Sequence, residues 1–274
     1  MNSQNKSSMN SETKLMITVT TANSWIYPEA RNWATNVDEL IDDVVKCYEA
    51  GAAIGHVHLI QGHEKEIVDR IRDRCDIIIQ AGMSSDSIAD RQPLFEAHPD
   101  MASIILNHHD ESFTQLDVYR LHTREELEQY CKLCDAYRIK PEWEVWNTGS
   151  LWNLNYLIKK GLLSPPYFLS SFFNWPGGAW SPPEPEEFFL RKRYYPPQCL
   201  YTASTMGPEQ TKIATLAILH EGHVRVGTED YPYIKQGIPA KDNAEIVARM
   251  VRISRELGRE VATPSEARKI IDLK

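Results

Sequence analysis

Several features that define common protein classes are absent from this sequence of 274 residues. No apolar run approaches the roughly 20 residues that a membrane-spanning helix needs. No run rich in Lys and Arg exists to neutralise a nucleic-acid backbone, and the net charge of −8 also argues against such a partner. We therefore expect neither a membrane nor a nucleic acid as partner. A hydrophobic content of 42% is ordinary for a soluble globular protein.

Cysteine is also scarce, and its pattern does not suggest disulfides. The five cysteines are odd in number and scattered, which favours a reduced, cytoplasmic chain. Cys131 and Cys134 form a C-x-x-C pair within a helical pattern, and no second pair completes a zinc site. Residues 1–14 are polar and lack the apolar core of a targeting signal, so we expect a disordered N-terminal tail.

Short β-branched stretches alternate with amphipathic helical patterns over residues 15–274. The first helix is predicted to begin after Asn36, its N-cap, and to end at Gly51. About eight strand–helix pairs follow one another, which indicates a parallel sheet covered by helices. We predict an α/β fold in which 15–274 form one catalytic domain, a (β/α)8 TIM barrel, with an extra C-terminal helix after Pro264. An open doubly wound sheet is the weaker alternative, since no G-x-G-x-x-G or Walker sequence is present.

One region interrupts the alternation. Residues 174–197 hold six of the sixteen prolines and a cluster of aromatic side chains. We therefore predict a long loop after strand 6. A loop of this length is usually functional or disordered. Its aromatic residues favour an ordered lid or an oligomer contact.

Two predicted strand ends carry residues that suit a metal ion. His56 and His58 are two positions apart, so both imidazoles leave one face of a strand. Much later, the segment HEGHVRVGTEDY ends in a polar tip with Glu229 and Asp230. Two neutral imidazoles and one carboxylate, with a position left open, form the ligand set of a catalytic zinc site. We predict that His56, His58 and Glu229 bind a divalent cation, zinc by preference, rather than being two structural histidines and a solvated acid.

Polar side chains recur at the predicted carboxyl ends of the strands, where barrel enzymes place their catalytic residues. They are Thr20 and Thr21; His56 and His58; Gln80, Ser84 and Ser85; Asn107, His108 and His109; Glu142 and Glu144; and Arg225, Glu229 and Asp230. Chance would scatter such residues over both ends of the barrel. The pattern therefore favours an enzyme.

Arg225 and Asp230 lie beside the predicted metal ligands. An open metal position next to them suits a substrate with a ketone and a carboxylate, whose ketone the cation polarises and whose enolate it stabilises. Asp230, oriented by Arg225, is the predicted general base that removes the proton between the two carbonyls. As an alternative, Arg225 is a barrel-core arginine paired with Glu142 or Glu144.

Three segments in order, EAGAAIGHVH, GHVRVGTED and LGREVATPSEAR, resemble the beta-keto acid cleavage enzyme family. The resemblance runs from about Leu15 to the C-terminus, and it implies that His56, His58 and Glu229 are metal ligands. A matching P-E-x-E segment implies that Glu144 helps to shape the site. The implied reaction converts a β-keto acid and acetyl-CoA into acetoacetate and a new CoA thioester. Family members tend to form oligomers, so a homo-oligomer is expected.

The chain departs from the family pattern after three strands. Leu59, Ile60 and Gln61 stand where the family usually has Arg-Asp and a longer loop. Gly82-Met83-Ser84-Ser85 replaces a Ser-Thr-Gly-Gly segment, and Asn107-His108-His109 replaces a Gly-Ser or Gly-Thr. These changes rewrite the contacts to the substrate carboxylate and the coenzyme. The candidate substrate-binding residues are Thr20, Gly82, Ser84, Ser85 and Asn107.

Two other functions stay open at this point. A metal-dependent hydrolase or aldolase-type lyase on the same barrel would use a zinc-bound water, and acetyl-CoA dependence of turnover separates it from the family reaction. A non-catalytic barrel that binds an acidic metabolite would lose little on replacement of Asp230 by Asn.

Overall fold

Eight parallel strands close into a barrel. A computed structural model describes residues 13–106, 108–110 and 119–273 of the chain. The barrel strands are β1 (Ile17–Thr20), β2 (Ile54–Val57), β3 (Ile78–Ala81), β4 (Met101–Ile105), β7 (Lys140–Val145), β8 (Tyr167–Phe173), β9 (Cys199–Thr205) and β10 (His223–Gly227). They pair in that order, and β10 returns to pair with β1. The predicted (β/α)8 barrel is therefore confirmed.

Helices cover the outside of the barrel. They are α1 (Val37–Ala50), α2 (Glu64–Arg74), α3 (Gln92–Glu96), α4 (Arg124–Tyr137), α5 (Thr148–Lys159), α6 (Pro185–Tyr194), α7 (Gln210–Leu219), α8 (Asn243–Glu256) and α9 (Pro264–Ile270). The caps of α1 are as predicted, since the Asn36 side chain accepts a hydrogen bond from the Glu39 amide and Gly51 is left-handed at φ 112°. The extra C-terminal helix is α9. None of the described helices combines the length and the apolarity that a membrane crossing requires.

The barrel interior changes character along its axis, and this change positions the site. At the amino ends of the strands the inward side chains are apolar, with Ile54, Ile78, Met101 and Phe168 packed in one buried cluster. Towards the carboxyl ends the inward side chains are polar but equally buried. They are Thr18, Thr20, His56, Gln80, Ser103, Glu142, Glu144, Ser170, Thr202, Ser204 and Arg225. Buried polar groups need partners, and several of these side chains are joined by hydrogen bonds, such as His56 to Gln80 and Gln80 to Glu142.

The prediction of one long loop at 174–197 was wrong in part, because this region contains α6. Pro185 occupies the first turn of α6, where the missing N–H has no cost, and Phe188 is buried against the barrel. The prolines that flank the helix hid it from pattern analysis. The irregular segment after β8, the sixth strand of the barrel, is correspondingly shorter and runs from Asn174 to Glu184.

Two short hairpins were not predicted. One pairs β5 (His108–Asp110) with β6 (Tyr119–Leu121), and the other pairs β11 (Tyr233–Lys235) with β12 (Ile238–Pro239). Of the predicted N-terminal tail, residues 1–12 lie outside the described residues.

Arg191 of α6 fastens this helix to the ends of two strands. Its guanidinium, fully buried, donates hydrogen bonds to the carbonyl oxygens of Val145 at 3.0 Å, Trp146 at 2.8 Å and Phe172 at 2.6 Å. Nε donates to the Glu187 carboxylate at 2.7 Å. Carbonyls at strand ends lack partners within the sheet, so this one side chain satisfies several of them at once.

We predict that Arg191→Met lowers the free energy of unfolding by about 3–5 kcal/mol, because buried carbonyls and the Glu187 carboxylate lose their partner. Chemical denaturation of the purified variant measures the change. Arg193→Met is the matched control on the exposed face of the same helix, and it should shift stability by less than about 0.5 kcal/mol. Equal effects of the two substitutions would contradict the fastening role.

Candidate active site

His56, His58 and Glu229 come together at the carboxyl end of the barrel. His56 lies in β2, His58 follows that strand, and Glu229 follows β10. Nε2 of His56 lies 3.5 Å from one carboxylate oxygen of Glu229, and Nε2 of His58 lies 3.3 Å from the other. Two atoms bound at about 2.0–2.1 Å to one tetrahedral ion are separated by about this distance. Within the described part of the chain, these three residues form the group of His, Cys, Asp or Glu side chains that could hold a metal ion.

A glycine leaves room for the two imidazoles. Gly82 follows β3, and a Cβ at this position would lie 2.4 Å from Cδ2 of His58 and 2.9 Å from Nε2 of His56. Such distances are too short for any side chain. The absence of a side chain at Gly82 supports the metal site, because a Cβ here would cover the imidazole nitrogens. Gly82 thus has a steric role beside the ligands, while its predicted contact with substrate stays a prediction.

Arg225 of β10 binds both acids of the following turn. Its Nη2 lies 2.9 Å from Glu229 and 3.1 Å from Oδ1 of Asp230, and its Nε donates to Oδ2 of Asp230 at 3.2 Å. Its guanidinium also lies 4.8 Å from the ring centre of Phe172. Arg225 therefore pairs with Glu229 and Asp230 rather than with Glu142 or Glu144, the alternative that the sequence left open.

Asp230 is fully buried and held by three donors. Besides the two bonds from Arg225, its Oδ2 accepts one from the Ser204 hydroxyl at 2.6 Å. Burial raises the pKa of Asp230, although Arg225 opposes the shift. Burial alone would also raise the pKa of Glu229, but Arg225 and the imidazoles of His58 and His56 overcome it and hold that pKa below its usual range. Ser204 escaped the sequence analysis because a lone serine inside a strand carries no signal.

Two further inward residues connect to His56. Nδ1 of His56 lies 2.7 Å from Oε1 of Gln80, and Nε2 of Gln80 donates to Glu142 at 2.9 Å. Burial is the main reason that the pKa of Glu142 is raised to about 7. Burial likewise lowers the pKa of His56 to about 3, which keeps the imidazole neutral at physiological pH, as metal binding requires.

The turn with Glu229 and Asp230 is fixed by contacts outside the barrel. The Thr228 amide donates to Oδ1 of Asn243 at 2.8 Å, and Nδ2 of Asn243 donates to Asp43 of α1 at 2.7 Å. Gly227 begins the turn at φ 147°, and a Cβ here would lie 2.2 Å from the carbonyl oxygen of Thr20. Only glycine fits this position, so the turn depends on both Gly227 and Asn243.

A cavity opens beside the ligands, and aromatic residues form one of its walls. Trp146 stacks on Phe172 with ring centres 4.2 Å apart, and Trp175 meets Trp146 edge-on at 4.9 Å. Trp25 and Met206 complete this wall. The sequence analysis missed these residues. The predicted strand that ends in Trp146 was a usable signal, but the register of that strand in the barrel decides whether the Trp146 side chain points inward.

The other predicted site residues fall into three groups. Glu144, Ser84 and Ser85 line the cavity with the metal-site residues, and Glu144 accepts a hydrogen bond from the indole of Trp146 at 3.0 Å. Thr20 is fully buried and does not line the cavity, and its hydroxyl has no hydrogen-bond partner among the described residues. Asn107 lies outside the described residues.

A larger cavity of about 520 Å³ lies at the opposite end of the barrel. Lys140 and Tyr167, which begin β7 and β8, border it. Barrel enzymes use the carboxyl ends of their strands, and this cavity is at the amino ends. We therefore locate the chemistry in the smaller cavity beside His56.

The sequence model of the beta-keto acid cleavage enzymes matches residues 14–273. The chain belongs to the beta-keto acid cleavage enzyme family. It is 33% identical over 277 residues to the 3-keto-5-aminohexanoate cleavage enzyme of Acetoanaerobium sticklandii, a match that covers 95% of this chain and 98% of the relative. It is 26% identical over 269 residues to the 3,5-dioxohexanoate:acetyl-CoA acetone transferase of Paraburkholderia graminis, covering 85% and 87%. The family resemblance inferred from the three motifs is thus confirmed, and the protein is an enzyme.

Among solved structures, the barrel is similar to a complex of ObcA with oxaloacetate. The TM-score is 0.72 at 15% identity, and the match covers 88% of this chain and 67% of that one. At this level of identity the likeness concerns the fold alone. This likeness agrees with the eight-stranded barrel described above.

We predict that Asn243→Ala weakens binding of a divalent cation at the candidate site and lowers kcat/KM by at least about tenfold, because the turn that carries Glu229 and Asp230 loses its anchor. Zinc titration and steady-state kinetics measure the two effects. Asn155→Ala is the matched control, since Asn155 donates a 2.8 Å hydrogen bond to the Leu151 carbonyl within α5. An Asn243→Ala variant that resembles this control in both measurements would contradict the anchoring role.

Proposed function

We propose that this enzyme is a zinc-dependent beta-keto acid cleavage enzyme that uses acetyl-CoA as its second substrate. The observation that carries the proposal is the grouping of His56, His58 and Glu229 beside the Arg225–Asp230 pair in a member of this family. The relative in P. graminis is named a 3,5-dioxohexanoate:acetyl-CoA acetone transferase, which supports acetyl-CoA as the co-substrate here.

The residues divide into those that would hold the ion and those that act on the substrate. His56, His58 and Glu229 would hold a zinc ion, which supplies a Lewis acid for the ketone oxygen of the substrate. Their separations fit tetrahedral binding, and Gly82 keeps the approach open. Arg225 lines the cavity and offers its guanidinium to the substrate carboxylate.

Asp230 is the proposed base, and Arg225 controls it. In this structure Arg225 donates two of the three hydrogen bonds that Asp230 accepts. A substrate carboxylate competes for the same N–H groups. When Arg225 turns towards the substrate, Asp230 loses two donors and a positive charge, and its basicity rises. Binding of the correct anion thereby activates the base that removes the proton between the two carbonyls.

The overall reaction exchanges acyl groups and balances without an oxidant or a water molecule. The carbon between the two carbonyls of the keto acid forms a bond to the acetyl carbonyl carbon and loses its bond to the keto carbon. The keto carbon takes the coenzyme A sulfur in return. The products are acetoacetate and a CoA thioester of the remaining acyl chain. Asp230 accepts a proton at the start and returns it at the end, so no net proton is released.

The aromatic wall favours a keto acid without a second carboxylate. Trp25, Trp146, Phe172, Trp175 and Met206 offer no positive charge, and the cavity-lining acids Glu144 and Glu229 would repel another anion. Among the described residues that line the cavity, Arg225 is the one Lys or Arg, and one substrate carboxylate occupies it. We therefore propose that the acyl chain ends in an apolar or a positively charged group, both of which bind well on aromatic faces.

We predict that Asp230→Asn lowers kcat by at least about a thousandfold and leaves the zinc content at one ion per chain, because the base is removed while the ligands remain. Acetoacetate formation from a panel of β-keto acids with acetyl-CoA, together with metal analysis, provides the measurement. Removal of zinc by a chelator should abolish turnover, and added zinc should restore it.

Asp69→Asn, on the exposed side of α2, controls for the loss of an acidic side chain and should retain full activity. Turnover without acetyl-CoA would favour the hydrolase or lyase that the sequence left open. A wild-type protein that binds keto acids without converting them, and an Asp230→Asn variant that binds equally well, would overturn the proposal in favour of a metabolite binder.

A further inference from the structure

Glu142 is a buried acid that the proposed reaction does not use. It lies in β7 with no exposed surface, and its Oε1 has no hydrogen-bond partner among the described residues. Its Oε2 accepts a hydrogen bond from Gln80 of β3 at 2.9 Å. Burial of a carboxyl group is costly unless the group is hydrogen-bonded. Gln80, the hydrogen-bond partner of Glu142 among the described residues, connects it to the candidate metal site.

Gln80 links the acid to a metal ligand. β2 and β3 pair in parallel with His56 opposite Gln80, which brings the two side chains together in the barrel interior. Oε1 of Gln80 lies 2.7 Å from Nδ1 of His56, while its amide nitrogen points at Glu142. The three residues form a chain of two hydrogen bonds that ends on the imidazole nitrogen remote from Glu229.

The direction of each hydrogen bond follows from Glu142. Its Oε2 accepts from Nε2 of Gln80 at 2.9 Å, since a carboxylate has no proton to donate. The Gln80 amide must therefore turn its N–H group to Glu142 and its oxygen to His56. An oxygen at 2.7 Å requires a proton on Nδ1 of His56. The lone pair of His56 is then on Nε2, the atom that faces Glu229.

One neighbouring contact would favour the opposite tautomer. Nη1 of Arg225 lies 3.4 Å from Nδ1 of His56. It could donate only to an unprotonated Nδ1, which would move the proton to Nε2 and block metal binding. The shorter contact, to Gln80, decides between the two arrangements, since hydrogen bonds at 2.7 Å are much the stronger.

We propose that Glu142 and Gln80 are positioning residues that hold His56 in the Nδ1–H tautomer and so prepare Nε2 for the metal ion. The inference rests on the proposed function, in which His56 is a ligand. Partners of this kind orient metal-bound histidines, and their loss typically weakens metal affinity 10–100-fold. Neither Gln80 nor Glu142 lines the cavity beside the ligands, so their hydrogen bonds would act on the metal through His56.

Zinc affinity of the metal-free protein tests the proposal. Gln80→Leu should weaken zinc binding 10–100-fold in a competition titration with a chromophoric chelator, and Glu142→Leu should weaken it about tenfold. The double variant should bind no more weakly than Gln80→Leu, because Glu142 acts through Gln80. Additive losses, or a Gln80→Leu variant with wild-type affinity, would overturn the proposal.

Ser170→Ala is the matched control. It removes a buried hydrogen bond of 2.9 Å to Thr202 within the same barrel, and zinc affinity should stay at the wild-type value. Circular dichroism establishes that each variant is folded. Equal weakening by Ser170→Ala would show a general effect of barrel packing and would overturn the positioning role.

Nitrogen-15 chemical shifts of the imidazoles test the tautomer without any variant. The metal-free wild-type protein should show His56 protonated at Nδ1, and an Nε2–H form would overturn the inference. Both measurements are made without substrate. Failure of acetyl-CoA-dependent turnover would therefore count against the proposed function and leave the tautomer assignment standing.

Discussion

The arrangement of the whole site depends on the buried guanidinium of Arg225. Glu229 and Asp230 are adjacent acids with little or no exposure, and two such charges would not stay ionised in a barrel interior without a shared cation. Arg225 binds both carboxylates and opposes the rise in pKa that burial causes in each of them. Glu229 keeps a low pKa and a charge that suits a metal ligand, whereas Asp230 has a raised pKa that suits a base. The two carboxylates differ because the imidazoles of His58 and His56 lower the pKa of Glu229 further, whereas the charge of Glu229 raises the pKa of Asp230.

The barrel supplies the environment that this ion pair needs. Its interior is apolar at the amino ends of the strands, around Met101 and Phe168, and becomes polar towards the carboxyl ends. The apolar layer excludes water from below, and the aromatic wall of Trp146, Phe172 and Trp175 borders the cavity above. Electrostatic interactions strengthen in such surroundings. Arg191 holds the strand ends that carry this wall, so a helix without contact to the cavity determines the shape of its rim.

The sequence predicted what local patterns encode. Spacing placed His56 and His58 on one face, alternation of strands and helices indicated the barrel, and three motifs identified the family. The relation between Gln80 and Glu142 could not be predicted, because the contact joins strands 62 residues apart and depends on their register. α6 was missed because its flanking prolines resemble a loop, although buried Phe188 stabilises it. Asp230 was predicted as a base, but its complete burial behind Arg225 follows only from the packed structure.

The pairing of β1 with β10 bears on how the protein matures during synthesis. His56 is translated early, whereas Glu229 emerges after more than four-fifths of the chain, and the barrel closes only when Gly227 reaches Thr20. A ribosome-bound fragment that ends before this point exposes two histidines with no carboxylate to complete the set. The candidate metal site is therefore incomplete until residue 229 has been synthesised. In the proposed function, metal binding would in this way follow closure of the barrel.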